Sequence, residues 1–333
     1  MRTALFAATV TAVAAGNALD REVYERAFFE HMNKFQLSFK SGEEFVQRLQ
    51  VFSDNFDMIQ KHNSENHSYT LGLNQFSHMT LSEFHDYVHL GGTRPPNLRR
   101  GGANKLHTAP ADLSTLPASV DHVAAGAVTD IKNQGSCGSC WAFSATSALE
   151  SARFYKHSQL ITYAEQQLVS CDTVDAGCNG GWMDDAFTFV QKNGGLTTPD
   201  QYPYTSGTTG ATGACKTAGI TNDASVAPVG FTDVQAGSVN ALMSAVAQQP
   251  VSIAIQANQL AFQSYSGGVL TGKCGQRLDH GVVAVGYGTL NGVDYWKVRN
   301  SWGPTWGIDG YVLIERSAAD LCGVLDAASY PNL

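Results

Sequence analysis

The stretch Gln134-Gly135-Ser136-Cys137-Gly138-Ser139-Cys140-Trp141-Ala142-Phe143-Ser144 constrains this chain more than any other. Its glycines punctuate a tight turn. Ala142, Ala145, Ala148, Leu149 and Ala152 then recur at helical spacing, which predicts a helix from Cys140 to about Lys156. A cysteine at a helix N-terminus faces unpaired backbone N–H groups and the positive end of the dipole, and both favour thiolate over thiol. Thiolate is the attacking form, so this sulfur stands where its nucleophilicity is raised. The Cys137-x-x-Cys140 spacing also suits half a zinc site or a redox pair. Zinc needs a second ligand pair at similar spacing, whereas Cys171 and Cys178 are further apart with no histidines clustered about them. A redox pair would follow a strand in a compact α/β unit, which is absent here.

The compartment follows from the N-terminus and the cysteines. Arg2, the apolar run Ala4 to Ala15 and small residues around Ala14 to Ala18 read as a secretory signal, assigned to residues 1–16. The run is too short to span a bilayer, and no other long apolar segment exists. Secretory entry permits disulfides. Seven cysteines then allow three bridges and one free sulfur, although sequence logic alone leaves the pairing open. Asn66-His67-Ser68 is a glycosylation sequon, which makes Asn66 a candidate acceptor. Net charge is −8, and from Leu116 onward Asp and Glu number 17 against 10 Lys and Arg. That balance argues against a nucleic-acid partner.

From Asp20 to Val88 the pattern is helical and charged. Ser41 and Glu44 form a capping-box signature. Glu44, Arg48, Phe52, Asn55, Ile59 and Asn63 recur on one face of a helix, with Glu44 and Arg48 a favourable i,i+4 pair. Gly72 to Phe76 alternates like a short strand. Between Gly91 and Ser114 a Gly-, Pro- and Arg-rich stretch, including Arg99-Arg100, reads as an exposed linker open to proteases. A boundary near Leu116-Pro117 separates residues 17–115 from residues 116–333. The second part is helical to about Gly219, with Ala164 to Val169 and Met183 to Asn193 as candidates. From Val226 it is strand-rich, including Val251 to Gln256, His280 to Gly286, Tyr295 to Arg299 and Gly310 to Ile314. The expected fold is α+β, two lobes with a cleft between them.

A cysteine nucleophile needs a base, and the base needs an orienting group. His280 begins a strand in the β half, so it can face Cys140 across the cleft. Asn300-Ser301-Trp302-Gly303 ends the next-but-one expected strand and supplies an amide to fix the imidazole tautomer. Trp302 can cover that bond and exclude water.

With these residues in order, Gln134 to Ser144, Asp279-His280-Gly281 and Asn300 to Gly303, the chain resembles papain-like cysteine proteases of the cathepsin L branch. The resemblance implies a papain-like two-lobe domain preceded by a mainly helical inhibitory propeptide. Cys140 and His280 would form a thiolate–imidazolium pair oriented by Asn300, with Gln134 holding the oxyanion. Disulfides would join Cys137 to Cys178, Cys171 to Cys215 and Cys274 to Cys322. Gly180 and Gly181 would bind substrate backbone. Trp182, Met183, Ala254, Leu278, Gly281 and Ala327, beside Asp279 and Trp302, would build an uncharged pocket preferring Leu or Phe two residues upstream of the cut. Implied partners are protein and peptide substrates, the chain's own propeptide and cystatin-type inhibitors. The resemblance implies no cofactor, metal or membrane span, a monomer, and an acidic lysosome-like compartment or the exterior. A silent homologue acting as a binding or inhibitory protein is opposed by the intact Gln134, Cys140, His280 and Asn300.

Three departures from the pattern stand out. His78 occupies a position where relatives carry aspartate, which predicts either an acid switch gaining charge at about pH 6–6.5 or an exposed, idle ring. Asp121-His122-Val123 lacks the usual Trp-Arg, and Pro304 and Ile308 alter the loop after Trp302; both predict local packing changes only.

Overall fold

A computed structural model describes residues 20–88, 105–272 and 274–333; the N-terminal apolar run and Arg99-Arg100 lie outside them. Helix α1 (Arg21–Phe35) turns Tyr24, Phe28 and His31 inward at spacings of four and three. Helix α2 (Gly42–Ser64) starts where Ser41 accepts from the Glu44 N–H, at 3.1 Å. The Glu44 carboxylate reaches back one residue further than a capping box requires, to the Lys40 N–H.

The stripe along α2 faces the core, with Phe52 and Ile59 buried. Asn55 donates to the carbonyls of Ser77 and Met79, and Asn63 bonds both backbone groups of Leu71. The expected Glu44–Arg48 pair does not form. Arg48 instead pairs with Glu83 at 2.7 Å, on the helix α3 (Leu81–Val88) that packs beside it.

The short strand falls just before its expected place. Strand β1 (Tyr69–Leu71) pairs antiparallel with β6 (Tyr265–Leu270). Residues 72–80 turn instead, because Asn74 and Ser77 fold them locally: Asn74 Oδ1 accepts from Phe76 N–H and Ser77 Oγ from Asn74 N–H. The expected linker also holds structure. Strand β2 (Lys105–His107) runs parallel to β4 (Gly230–Val234), and the His107 ring lies 3.0 Å from the hydroxyls of both Tyr330 and Ser244. No apolar period marks those residues, so tertiary pairing alone makes them a strand.

Helix α4 (Cys140–His157) runs through the middle of the molecule against β7 (His280–Leu290). Ala142, Ala145 and Ala148 are buried, and small residues let the helix approach the sheet closely. Ser144 Oγ donates to the Val282 carbonyl at 2.7 Å, so the two lobes are joined by a hydrogen bond as well as packing. Helices α5 (Glu165–Cys171) and α6 (Met183–Asn193) complete the helical lobe with the one-turn α7 (Ser206–Thr209). In the other lobe, β5 (Val251–Ile255), β8 (Val293–Arg299), β9 (Tyr311–Glu315) and β10 (Ala328–Asn332) join those already named in the order β1-β6-β9-β8-β7-β5-β10-β4-β2. Strand β3 (Val120–Asp121) pairs with β7, and α8 (Val239–Val246) and α9 (Leu260–Gln263) flank the sheet.

Among the described residues two apolar cores lie in the two lobes, apart from the aromatic cluster of α1 and α2. One surrounds α4 with Trp141, Leu149, Leu168 and Phe187. The other lies under the sheet with Val251, Val282, Val298 and Ile314, and it also takes in Phe76, Phe84 and Val88 from the N-terminal region. The N-terminal region therefore shares a core with the β lobe. Disulfides join Cys137 to Cys178, Cys171 to Cys215 and Cys274 to Cys322, and Cys140 is free. Among the described residues no helix is long and apolar enough to cross a membrane. His122 is buried between the Tyr155 hydroxyl and the Val246 carbonyl, while Ile308 is exposed and bridges to Tyr311.

Candidate active site

The turn before α4 brings the sulfur to the lobe boundary. Cys140 is the first residue of the helix, and its Sγ accepts from the Gly281 N–H at 3.3 Å, placing it beside the first residues of β7. His280 opens that strand and is fully buried. Its Nε2 lies 2.8 Å from Asn300 Oδ1, and the Asn300 side chain also accepts from Ser301 N–H. Asn300 follows β8, which is the strand next to β7 and not the next but one; Val283 faces Arg299 across that pairing. His280 Nδ1 has no hydrogen-bond partner among the described residues, so it is the nitrogen free to serve the sulfur. The Trp302 indole stacks on the imidazole at 4.8 Å and 26°.

Burial favours the neutral form of both Cys140 and His280. Burial pushes the Cys140 thiol up to about 11, against the opposing pull of the Gly281 N–H. Burial likewise lowers His280 to about 4, although the Asn300 bond favours its charged form. The helix N-terminus alone does not set the ionisation of a sulfur so deeply covered. Next to them, burial raises the Asp279 carboxyl to about 6 while one oxygen accepts from the Ala257 N–H.

What covers the site is the N-terminal region. The Gln134 side-chain amide donates to the carbonyls of Cys137 and of Val88, the last residue of α3, at 3.1 and 3.3 Å. Its own oxygen accepts from Ser301 at 2.7 Å, which fixes the amide with its N–H groups toward the cleft. Gln75 donates to the Trp302 carbonyl and accepts from Thr305. Asn74 donates to the Gln263 carbonyl, and Gln263 returns bonds to Phe76 and Met79. Phe76 and Phe84 meet the Trp302 ring edge-on at 5.8 and 5.1 Å. Trp302 thus touches the imidazole and the covering segment at once.

Residues 116–332 match the family model for papain family cysteine protease, and residues 28–84 match the cathepsin propeptide inhibitor domain (I29). The chain belongs to the papain family. It is 46% identical over 299 residues to a KDEL-tailed cysteine endopeptidase of Arabidopsis thaliana, covering 88% of this chain and 81% of that one. Among solved structures it resembles a recombinant stem bromelain precursor, with a TM-score of 0.85, 38% identity, and 93% and 99% of the two chains covered. It also resembles digestive procathepsin L2 from the larval midgut of Tenebrio molitor, with a TM-score of 0.82, 36% identity, and 93% and 100% covered. The chain is a cysteine endopeptidase that carries an inhibitory propeptide.

In family terms, the segment over the cleft is the propeptide, and a peptide carbonyl from it accepts from the amide of Gln134. The sequence-assigned pocket residues come together: Trp182, Met183, Ala254 and Ala327 are buried in one cluster, with Leu278 packed against them. A Cβ at Gly281 would lie 3.2 Å from Met183 Sδ and 3.3 Å from the Trp141 backbone, a tight fit that favours glycine there. A Cβ at Gly181 would lie 2.6 Å from the Trp141 ring. Asn66 is exposed. Among the described residues no group of three or more His, Cys, Asp and Glu is placed to hold a metal ion.

Sequence reasoning missed the partner of His78. That residue is neither exposed nor titrating near its ordinary value. It is buried with His31, whose Nε2 lies 3.3 Å from His78 Nδ1, inside a cage of Phe28, Phe35, Phe39 and Phe52. Burial, then the Arg48 guanidinium, lowers His78 to about 4, opposed by Glu83. Burial, then His78 and Lys34, lowers His31 to about 4. The signal was present: His31 shares the four-three spacing of Tyr24 and Phe28.

Proposed function

We propose that Cys140 is the nucleophile of this endopeptidase, His280 its base and acid, Asn300 the orienting amide and Gln134 an oxyanion donor. The thiolate Sγ attacks the peptide carbonyl carbon. The oxygen's developing charge is held by the Gln134 amide and the Cys140 N–H; one such donor is worth about 3 kcal/mol of transition-state stabilisation. His280 then protonates the leaving amine as the C–N bond breaks. Water hydrolyses the thioester, with His280 taking its proton. The observation that carries this reading is the Gly281 N–H on the Cys140 sulfur, one residue from an imidazole already fixed by Asn300.

Specificity follows from Trp182, Met183, Ala254, Leu278, Gly281 and Ala327, all apolar and with Ala254, Gly281 and Ala327 small, so Leu or Phe fits two residues upstream of the cut. The apolar N-terminal run and three disulfides support the secretory pathway and an acidic compartment or the exterior. Acid releases the propeptide, and cleavage between Arg99 and Leu116 frees the enzyme. Asn66 is the carbohydrate acceptor.

The test is acid incubation of the purified zymogen with and without Cys140→Ala, followed by a peptide panel varied at the second upstream position. Self-cleavage lost only in the variant, and preference for Leu or Phe, is the expected result. Hydrolysis persisting in Cys140→Ala overturns the assignment of the nucleophile. Preference for Arg overturns the pocket.

A further inference from the structure

The Asp184 carboxylate straddles the two lobes at the end of the cleft where the proposed specificity pocket lies. It is buried in the first turn of α6. One oxygen accepts from the Trp182 indole N–H at 3.0 Å, and the other accepts from the Ser329 hydroxyl on β10. Each partner belongs to a different wall. Trp182 and Met183 form the helical-lobe wall. Ser329 follows Ala327 by two residues, and the Ala327 carbonyl accepts from Ala254 N–H at 3.0 Å, which fixes the β-lobe wall. The interlobe bonds from Ser144 to Val282 and from Ser252 to Ser144 lie deeper, along α4. Trp182 and Ala327 belong to one buried apolar cluster, whose contacts are non-directional. The carboxylate bonds are directional and buried, so they resist sliding.

We infer that Asp184 is a positioning residue that fixes the width of the specificity pocket by clamping Trp182 to the strand carrying Ser329. This rests on the pocket assignment made above. Asp184 touches no reacting atom, so its removal changes which side chains fit and leaves the chemical step in place. Asparagine can keep both bonds, its oxygen accepting from Trp182 and its amide donating to Ser329. Alanine keeps neither.

The experiment compares wild type, Asp184→Ala, Asp184→Asn and Ser329→Ala as processed enzymes, with active sites counted by iodoacetamide titration. Each is assayed on peptides with Leu, Phe or Ala two residues upstream of the cut. Asp184→Ala lowers the Leu-over-Ala ratio of kcat/KM by about tenfold, the size of one buried hydrogen bond to a charged group, mainly through KM. Ser329→Ala lowers it less, and Asp184→Asn restores it to within about twofold of wild type. Unchanged ratios in both alanine variants, or an equal loss of kcat on every peptide, overturn the clamp. If Asp184→Ala does not fold, Ser329→Ala decides alone. The wild-type panel by itself judges the Leu or Phe preference, so failure of the pocket reading and failure of the clamp are separate results.

Discussion

His280 in the cleft and the His31–His78 pair in the propeptide are both held neutral, with values of about 4, but different things bury them. His280 lies under the Trp302 indole, on which the propeptide rests in turn. The paired imidazoles are buried by the propeptide's own fold, inside its phenylalanine cage. In both places burial lowers the imidazole, so acid favours whatever exposes it. For the pair, the folded values lie below the ordinary 6.5, so the unfolded propeptide binds protons more readily. The stability this contributes is whole above about pH 6.5 and drains away as pH falls toward 4, by up to about 2 kcal/mol for each ring at pH 5. In the catalytic pair proposed above, loss of the propeptide would readmit water and favour charge separation between sulfur and imidazole. The lesson is that the same physical effect, desolvation of an imidazole, has two different sources in one chain.

The sharpest test of that contrast is chemical. Iodoacetamide alkylates Cys140 at least about a hundredfold more slowly in the zymogen than in the processed enzyme at pH 6, because a neutral, covered thiol is a poor nucleophile. Equal rates, measured by mass spectrometry of the labelled peptide, break the comparison. Next in size, Asn300→Ala lowers kcat of the processed enzyme by roughly a hundredfold, since the imidazole loses the group that fixes its tautomer; steady-state kinetics read this. Then His78→Asn in a Cys140→Ala zymogen, where no self-cleavage intrudes, moves the midpoint of acid propeptide release down by about half a pH unit or more. Tryptophan fluorescence follows the release, given the propeptide's contacts with Trp302. An unmoved midpoint removes the pair from the acid response. Smallest, Arg48→Ala costs the propeptide about 1 kcal/mol by breaking the half-exposed pair with Glu83, seen as a lowered thermal midpoint.

The sequence made the catalytic half legible because its chemistry is local. A turn rich in glycine, an alanine-spaced helix and a histidine opening a strand each carry their own signature. Met183–Asn193 is a helix with the expected ends, and the face of α2 from Arg48 to Asn63 packs as its period predicts. What stayed hidden depends on contacts between distant residues. Strand β2 exists only because β4 offers an edge, and Arg48 prefers Glu83 to Glu44 because α3 packs beside it. The thiol's high value has the same origin. A helix terminus is visible in a sequence, but the burial that overrides it is made by the tertiary fold around Cys140.

The loan of β1 to the sheet has a consequence for the enzyme after the loan ends. Once the propeptide leaves, Tyr265–Leu270 becomes a border with unsatisfied amides, the kind of edge along which molecules stick together. Gly268 sits there at φ 74°, and the pairing is already irregular at Leu71. A border bent in that way is a poor template for a neighbour, so the liberated molecules are kept from zipping into one another.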